Sequence, residues 1–434
     1  MTSKPSALEG RRVLYISYNG MLDPLGQSQV LPYLRELAAR GVRFTLLSFE
    51  RAKAFEADGT NRCSELRASL ATENIEWHWL RYHQSPSLPA TIFDVLAGTR
   101  YAAQLIKRNQ IEMVHARAQI AATIALRLKQ RFGIKLIFDV RGLMAEEYVD
   151  AGHWRKNNIP YRLTKTMESR ALAAADGVIT LTDKIWPVLR SWPAIAERNV
   201  IHEVVPCCAD LELFKFSEQD RERRRKELEV GDRFLVVYSG SIDGWYLTEE
   251  MADFFAELLR QNRAAHFLWL IPAGHERVQN LMKERGIPPD HFTIRGVGSQ
   301  EVASYLSASD AGLAFIKPCF SKLASSPTKT AEYLACGLPL IINAGIGDSD
   351  SLVTEEKAGV LIHDLDQAGY ATAALEIYRL ASLPDTRRKM REIAVRLFNL
   401  RTVGIERYAR LYERVLEDTS EAKRTTTLRR ESSA

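Results

Sequence analysis

Lys329 and Glu332, one helical turn apart in "SSPTKTAEYLACGLPLII" (Ser325–Ile342), are the residues whose types and spacing point most directly to chemistry. Ser326 suits an N-cap, Pro327 fits the first helical position, and Gly337 with Pro339 ends the run. The spacing therefore predicts a three-turn helix followed by a buried strand. The amino terminus of such a helix offers free N–H groups to an anion. A cation in the first turn opposes the helix dipole unless an anion balances both, so Lys329 points to a phosphate. Glu332 falls on the same face, where its carboxylate can accept hydrogen bonds from sugar hydroxyls. Spacing alone fits an ordinary surface Lys–Glu pair equally well.

A second turn, "SYNGMLDPLGQSQV", is neither GxGxxG nor GxxxxGK[ST], which removes support for a nicotinamide dehydrogenase or a P-loop NTPase. Gly26 stands just ahead of a helix expected from Gln27, whose first N–H groups would face an anion; a glycine needed only for the turn is the alternative. "DSD" at Asp348–Asp350 matches the Asp-x-Asp of metal-dependent transferases, but it follows a late strand and precedes "SLVTEE", so helix capping explains it and no metal is expected. The five cysteines form no CxxC pair and no zinc spacing, which suits a reducing compartment.

These residues must be positioned by a larger scaffold. The 434 residues carry 59 Lys+Arg against 54 Asp+Glu and are 46% hydrophobic, the composition of a globular chain of two or three domains without a nucleic-acid footprint. β-branched runs alternate with helical-period segments throughout, as in parallel sheets with crossover helices. Strands are expected at Arg12–Ser17, Phe44–Phe49, Glu76–Leu80, Met113–Ala116, Lys135–Val140 and Val178–Leu181. They resume at Phe234–Ser239, Phe267–Ile271, Phe292–Arg295, Gly312–Ile316, Pro339–Ile342 and Gly359–Ile362. The fold class is α/β: two doubly wound domains, 1–205 and 206–395, then a helix at 396–418 crossing back to the first domain and a disordered tail at 419–434. Ligands of open α/β sheets bind at the carboxyl ends of the strands. The charged run at Asp220–Asp232 reads as a solvated helix. The amino terminus lacks the apolar core of a signal peptide, and the longest uncharged stretch, Tyr333–Gly347, is too short to span a bilayer. A cytoplasmic protein, peripheral to a membrane at most, is expected.

"SSPTKTAEYLACGLPLIINAGIGD" resembles the donor-binding segment of glycosyltransferase family 4, the retaining GT-B enzymes. "VLYISYNGMLDPLGQSQVLPYLRELAARG", "FDVRGLMAEEYVDAGHW" and "VVPCCADLELF" resemble three further landmarks of that family, in the same order. The resemblance implies GT-B architecture, with two Rossmann-like domains facing a central cleft. The second domain would hold a nucleotide-diphosphate sugar and the first a carbohydrate or lipid-linked acceptor. Transfer would proceed with retention and without a metal or other cofactor, in cell-surface polysaccharide assembly. Glu332 matches the second glutamate of the family's Glu-x7-Glu motif, which contacts the ribose; the first falls on Ala324 and is missing. The basic pair many members carry after the first strand of the second domain is also missing from "SGSIDGWYLTEE". Lys329 is the candidate replacement for neutralising the leaving diphosphate. Gly26, Gln27, Gly240 and Ser326 complete the expected donor site.

In the first domain the resemblance puts Asp139 and Arg141 near the reacting sugar as catalytic candidates. A structural Asp–Arg pair is the other reading. Glu147 and His153, with Glu146, are candidates for the acceptor. Arg155, Lys156, Arg162, Lys165 and Arg170, near Trp154, Trp186 and Trp192, are nearly unopposed by acids and suit an anionic membrane surface. Two other functions stay open on sequence: a nucleotide-sugar epimerase on the same fold, and a non-catalytic partner of another transferase.

Overall fold

The computed structural model of the chain describes residues 7–417; the tail expected at 419–434 lies outside them. The chain forms two compact units, the first comprising the described residues up to Val205 and from Gly404 on, the second Pro206–Val403.

The first unit has a parallel seven-stranded sheet of β1 (Arg12–Ser17), β2 (Arg43–Glu50), β3 (Ile75–Arg81), β4 (Met113–Arg117), β5 (Lys135–Val140), β6 (Gly177–Thr180) and β7 (Ile201–Val204), in the order β3-β2-β1-β4-β5-β6-β7. The central strands are buried along nearly their whole length because helices cover both faces, which is why they read as continuous apolar runs. β7 was missed from sequence: "IHEV" is short, half-buried and interrupted by His202 and Glu203, so it reads as linker.

The second unit repeats the scheme with six parallel strands: β8 (Phe234–Ser239), β9 (Ala265–Leu270), β10 (Phe292–Arg295), β11 (Ala311–Ala314), β12 (Leu340–Asn343) and β13 (Gly359–Ile362), ordered β10-β9-β8-β11-β12-β13. Alternate residues of β8 feed two cores, Leu235 and Val237 on one side and Phe234, Val236 and Tyr238 on the other. The charged run forms the helix Glu218–Glu227, but it is more than a solvated face. Arg221 and Arg225 bond to the Ala308 carbonyl at 2.9 and 2.8 Å and pair with Asp310.

The expected boundary at 395 cuts through the helix Thr386–Leu397, which belongs to the second unit. The chain then winds through a π-helical turn, Leu400–Ile405, and is helical again over 406–417 in the first unit. There Tyr412 reaches β4, its hydroxyl 2.8 Å from His115 Nδ1. Gly177 at the start of β6 leaves room for Val415, which a Cβ there would meet at 2.9 Å.

Candidate functional site

In the second unit the helix carrying Lys329 and Glu332 runs Thr328–Ala335, about two turns rather than three, and its N-cap is Pro327, which has no side-chain acceptor. Ser326, expected as the cap, instead accepts a hydrogen bond from the Cys207 backbone N–H at 3.1 Å. The helix is seated by Tyr333. Its hydroxyl accepts from Ser239 N at 2.8 Å at the end of β8, and its ring lies against Gly312 of β11, where any side chain would collide.

This seating buries Lys329. Its side chain rises beside Gly240, the residue after β8, and its ammonium has no hydrogen-bond partner. A Cβ on Gly240, whose φ is +139°, would stand 3.1 Å from Lys329 Nζ. The ammonium lies 3.5 Å from the ring centre of Tyr246 and 4.8 Å from that of Tyr238, and these faces supply part of the stabilisation water would have given. Burial pushes the ammonium down to about 7, with Glu332 opposing that shift, and pushes the Glu332 carboxyl up to about 7 against Lys329. Gly240, Lys329 and Glu332 are thus gathered at the carboxyl end of β8 and the amino end of one helix. A buried cation with unused donors, beside a helix start without a side-chain cap, can receive an anion.

Sequence reasoning missed the aromatic wall of this site. The signal was present in "YSGSIDGWYLTEE": Tyr238 and Tyr246 flank Lys329, and Trp245 between them carries the Lys322 ammonium 3.8 Å from its ring centre.

In the first unit Gly26 and Gln27 lie within the first turn of a helix rather than ahead of it. The helix begins at Pro24, so Gly26 lies inside its first turn, buried, where a side chain would run into the Gly20 carbonyl and Met21. Gln27 Nε2 donates to the Met21 carbonyl at 2.6 Å. The turn they support is held from the other side by Glu50, the last residue of β2. Its carboxylate accepts from Met21 N at 2.6 Å and Leu22 N at 3.4 Å, and burial raises its pKa. Glu50 was also missed; a single acid closing the apolar strand "RFTLLSFE" was its only mark.

Asp139 on β5 is fully buried. Its Oδ2 accepts from the Tyr408 hydroxyl at 3.2 Å and lies 3.4 Å from His115 Nε2, and Oδ1 is 3.6 Å from Arg141. Burial would raise its pKa, but Arg141, His115 and Arg117 outweigh it and hold the carboxyl down at about 2. Asp139 is thus enclosed by Arg141, His115 and Tyr408, an arrangement that suits the structural reading of the Asp–Arg pair, with the returning helix bonded through Tyr408. Glu147 is half-buried against Gly142 and His153 is exposed, edge-on to Tyr148. Glu146 is buried and paired with Lys165 at 3.0 Å, which withdraws both Glu146 from the acceptor candidates and Lys165 from the solvent-facing basic cluster. The three tryptophans of that region are engaged internally: Trp154 on Tyr148, Trp186 stacked on His202 and Trp192 under Lys165.

Asp348 occupies the N-cap of the helix Ser349–Thr354 without a side-chain cap bond, so the side-chain capping expected of this pair is not seen; Asp350, inside the helix, accepts from Gly345 N of the preceding loop at 3.0 Å. Among the described residues no three His, Cys, Asp or Glu side chains cluster as metal ligands, and no helix is long and apolar enough to cross a membrane.

Two family models match the chain, a glycosyl transferase 4-like domain over residues 26–202 and glycosyl transferases group 1 over residues 219–396. The chain belongs to the family 4 glycosyltransferases of the GT-B class, and it is a glycosyltransferase. No curated protein matches it in sequence. Its fold is shared by sucrose-phosphate synthase from Thermosynechococcus elongatus, at a TM-score of 0.73 and 17% identity over 94% of this chain and 100% of that one. A glycosyltransferase from Rickettsia africae gives 0.70 and 14% over 94% and 98%. HepE of Anabaena, solved with UDP and glucose, gives 0.64 and 15% over 95% and 100%.

Proposed function

We propose that the chain transfers a sugar from a nucleotide-diphosphate donor to a carbohydrate or lipid-linked acceptor, with retention at the anomeric carbon and without a metal, in the cytoplasm and in the assembly of a cell-surface polysaccharide. The observation that carries this reading is the buried Lys329 ammonium, which has donors to spare beside Gly240 and a helix amino terminus. A diphosphate there would give the ammonium the partner it lacks, and Glu332 would accept from the ribose hydroxyls. HepE of Anabaena, solved with UDP-glucose, supports a donor of this class.

In the reaction the bond from the anomeric carbon to the diphosphate oxygen breaks as the acceptor hydroxyl bonds to the same carbon from the same face. The hydroxyl proton passes to the departing diphosphate oxygen. The protein's contribution is to position the two substrates and to neutralise the charge that grows on the leaving group, which is the task of Lys329. Arg141, beside Asp139, is a candidate for the acceptor in this scheme, with Glu147 and His153.

The test is calorimetric binding of UDP, GDP, ADP and their sugar conjugates in the presence of EDTA, to the wild type and to Lys329→Ala and Glu332→Ala. One nucleotide sugar should bind, and both substitutions should weaken it by about tenfold or more while leaving the fold intact. Absence of any nucleotide binding would overturn the reading and favour a non-catalytic partner. Turnover of the donor without an acceptor to an epimeric sugar would favour the epimerase.

A further inference from the structure

Arg117, the last residue of β4, is 5% exposed and has no part in the reaction above. Its buried Nε–H is accepted by no group of the protein. Its Nη1 donates to Asn19 Oδ1 at 3.4 Å, long for a bond from a charged donor. An enclosed guanidinium with idle donors costs the protein free energy that a partner would restore.

The place of Arg117 in the sheet is where a partner would arrive. β1 pairs with β2 on one side and with β4 on the other, so the strand order reverses between β1 and β4. Open α/β sheets bind ligands at such a reversal, in the crevice outside the carboxyl ends of the strands. Ser17, the last residue of β1, pairs in register with Arg117, and Asn19 lies two residues beyond Ser17. Arg117 and Asn19 thus stand on the two sides of that crevice. Arg117 is also the N-cap residue of the 15-residue helix Ala118–Phe132, which has no side-chain cap, and the positive end of a helix dipole favours an anion.

The charges nearby leave Arg117 in need of one. Asp139 faces it in register on β5, but Arg141 acts on that carboxylate more strongly than Arg117 does, so the aspartate is already matched. Burial holds His115 below its ordinary pKa and Tyr15 above its own, so both are neutral at pH 7. Glu50, the acid that closes β2, is engaged by Met21 N, Leu22 N and the Ser48 hydroxyl.

We propose that Arg117 sets the acceptor specificity: its guanidinium, beside the amino terminus of the helix Ala118–Phe132, binds a phosphate or carboxylate group carried by the acceptor. The anion takes the place of Asn19, exchanging a long neutral bond for a charge-assisted one. The enzyme then selects anionic saccharides over neutral ones. That the anion belongs to an acceptor rests on the transfer reading, whereas the anion site itself is measured without donor or turnover.

The experiment is calorimetric titration of the full chain carrying Lys329→Ala, which removes the other buried cation, with inorganic phosphate, glucose 6-phosphate, glucuronic acid and glucose. Inorganic phosphate and one of the two charged sugars should bind about tenfold or more tightly than glucose, and which sugar does so tells a phosphate from a carboxylate. Adding Arg117→Gln should abolish the preference, and Arg117→Lys should keep it at about tenfold lower affinity. Asn19→Ala removes the group that the anion displaces and should tighten phosphate binding, which a merely structural contact between Arg117 and Asn19 would not do. Thermal melting shows which variants are folded; should Arg117→Gln fail to fold, Asn19→Ala decides. The proposal is overturned if the Lys329→Ala protein binds the charged probes no better than glucose, if a folded Arg117→Gln variant keeps the preference, or if Asn19→Ala weakens phosphate binding. Nucleotide binding to the wild type without any anion preference would overturn this proposal and spare the transfer reading. Anion binding at Arg117 without nucleotide binding would do the reverse.

Discussion

Lys329 Nζ occupies the space beside Gly240 so closely that a Cβ there would stand 3.1 Å from it. The glycine just past β8 and the lysine at the start of the helix Thr328–Ala335 are therefore one feature: the missing side chain makes room for the cation. Alanine at 240 would also be strained, because φ is +139°. The Gly240→Ala variant should lose about 1–3 kcal/mol of stability and bind the nucleotide donor about tenfold more weakly. Thermal melting and calorimetry on the same samples measure both, and unchanged affinity would separate Gly240 from the site.

A buried ammonium without a hydrogen bond is a liability to the free protein. Lys329→Met keeps the length of the side chain and its packing against Tyr238 and Tyr246 while removing the charge. The apo variant should melt higher than the wild type, by an amount equivalent to about 1–3 kcal/mol. Donor binding should be lost, so the wild type gains from saturating nucleotide a stabilisation that the variant lacks. A variant that melts lower and still binds nucleotide would show that Lys329 is structural.

The same burial gives donor binding a pH dependence. Lys329 titrates at about 7 in the free protein, so it is charged below that and increasingly neutral above it. An anionic diphosphate favours the charged form, and its affinity is therefore full below about pH 7 and lost as pH rises through and beyond it. Glu332, raised to about 7, becomes an anion over the same interval, and its repulsion of the diphosphate is offset by the stronger hydrogen bonds its carboxylate accepts from the ribose. Titrating affinity from about pH 6 to about pH 9 should show this decline. Lys329→Arg, charged throughout, should flatten most of it. A flat wild-type profile would mean that the ammonium does not meet the diphosphate.

Most of the fold was legible because buried parallel strands announce themselves as apolar runs: Arg12–Ser17, Lys135–Val140 and Phe234–Ser239 were located to the residue, as were the less covered edge strands Phe292–Arg295 and Gly359–Ile362. β7 was not, because an edge strand half-covered on its faces can carry His202 and Glu203. At the site, the pairing of Lys329 with Glu332 followed from helical spacing. That Lys329 is buried, walled by tyrosines and set against Gly240 depends on contacts across roughly ninety residues of chain, which local spacing does not encode. Gly26, expected just ahead of a helix, lies inside its first turn, where the close backbone of Gly20 and Met21 leaves no room for a side chain, a contact that local sequence does not encode.

Asp139 provides a test of positioning against catalysis. Its carboxylate joins Arg141, His115 and Tyr408, three partners on three segments, one of them the returning helix at 406–417. Breaking a buried charge network by removing one partner typically costs about 3–5 kcal/mol, so Asp139→Ala should lose stability on that scale and Asp139→Asn somewhat less. Tyr408→Phe should be non-additive with either, because the two residues share one hydrogen bond. The native carboxyl titrates at about 2 against an ordinary value of 3.8, so its contribution is complete above about pH 4 and disappears as pH falls toward 2. The stability gap between wild type and Asp139→Asn should therefore be constant from neutral pH to about pH 4 and narrow below it. Chemical denaturation across that range, with turnover measured at neutral pH, distinguishes the roles. A positioning residue lowers stability and weakens turnover in step with the displacement of Arg141. A variant as stable as the wild type but without turnover would return Asp139 to the reaction itself.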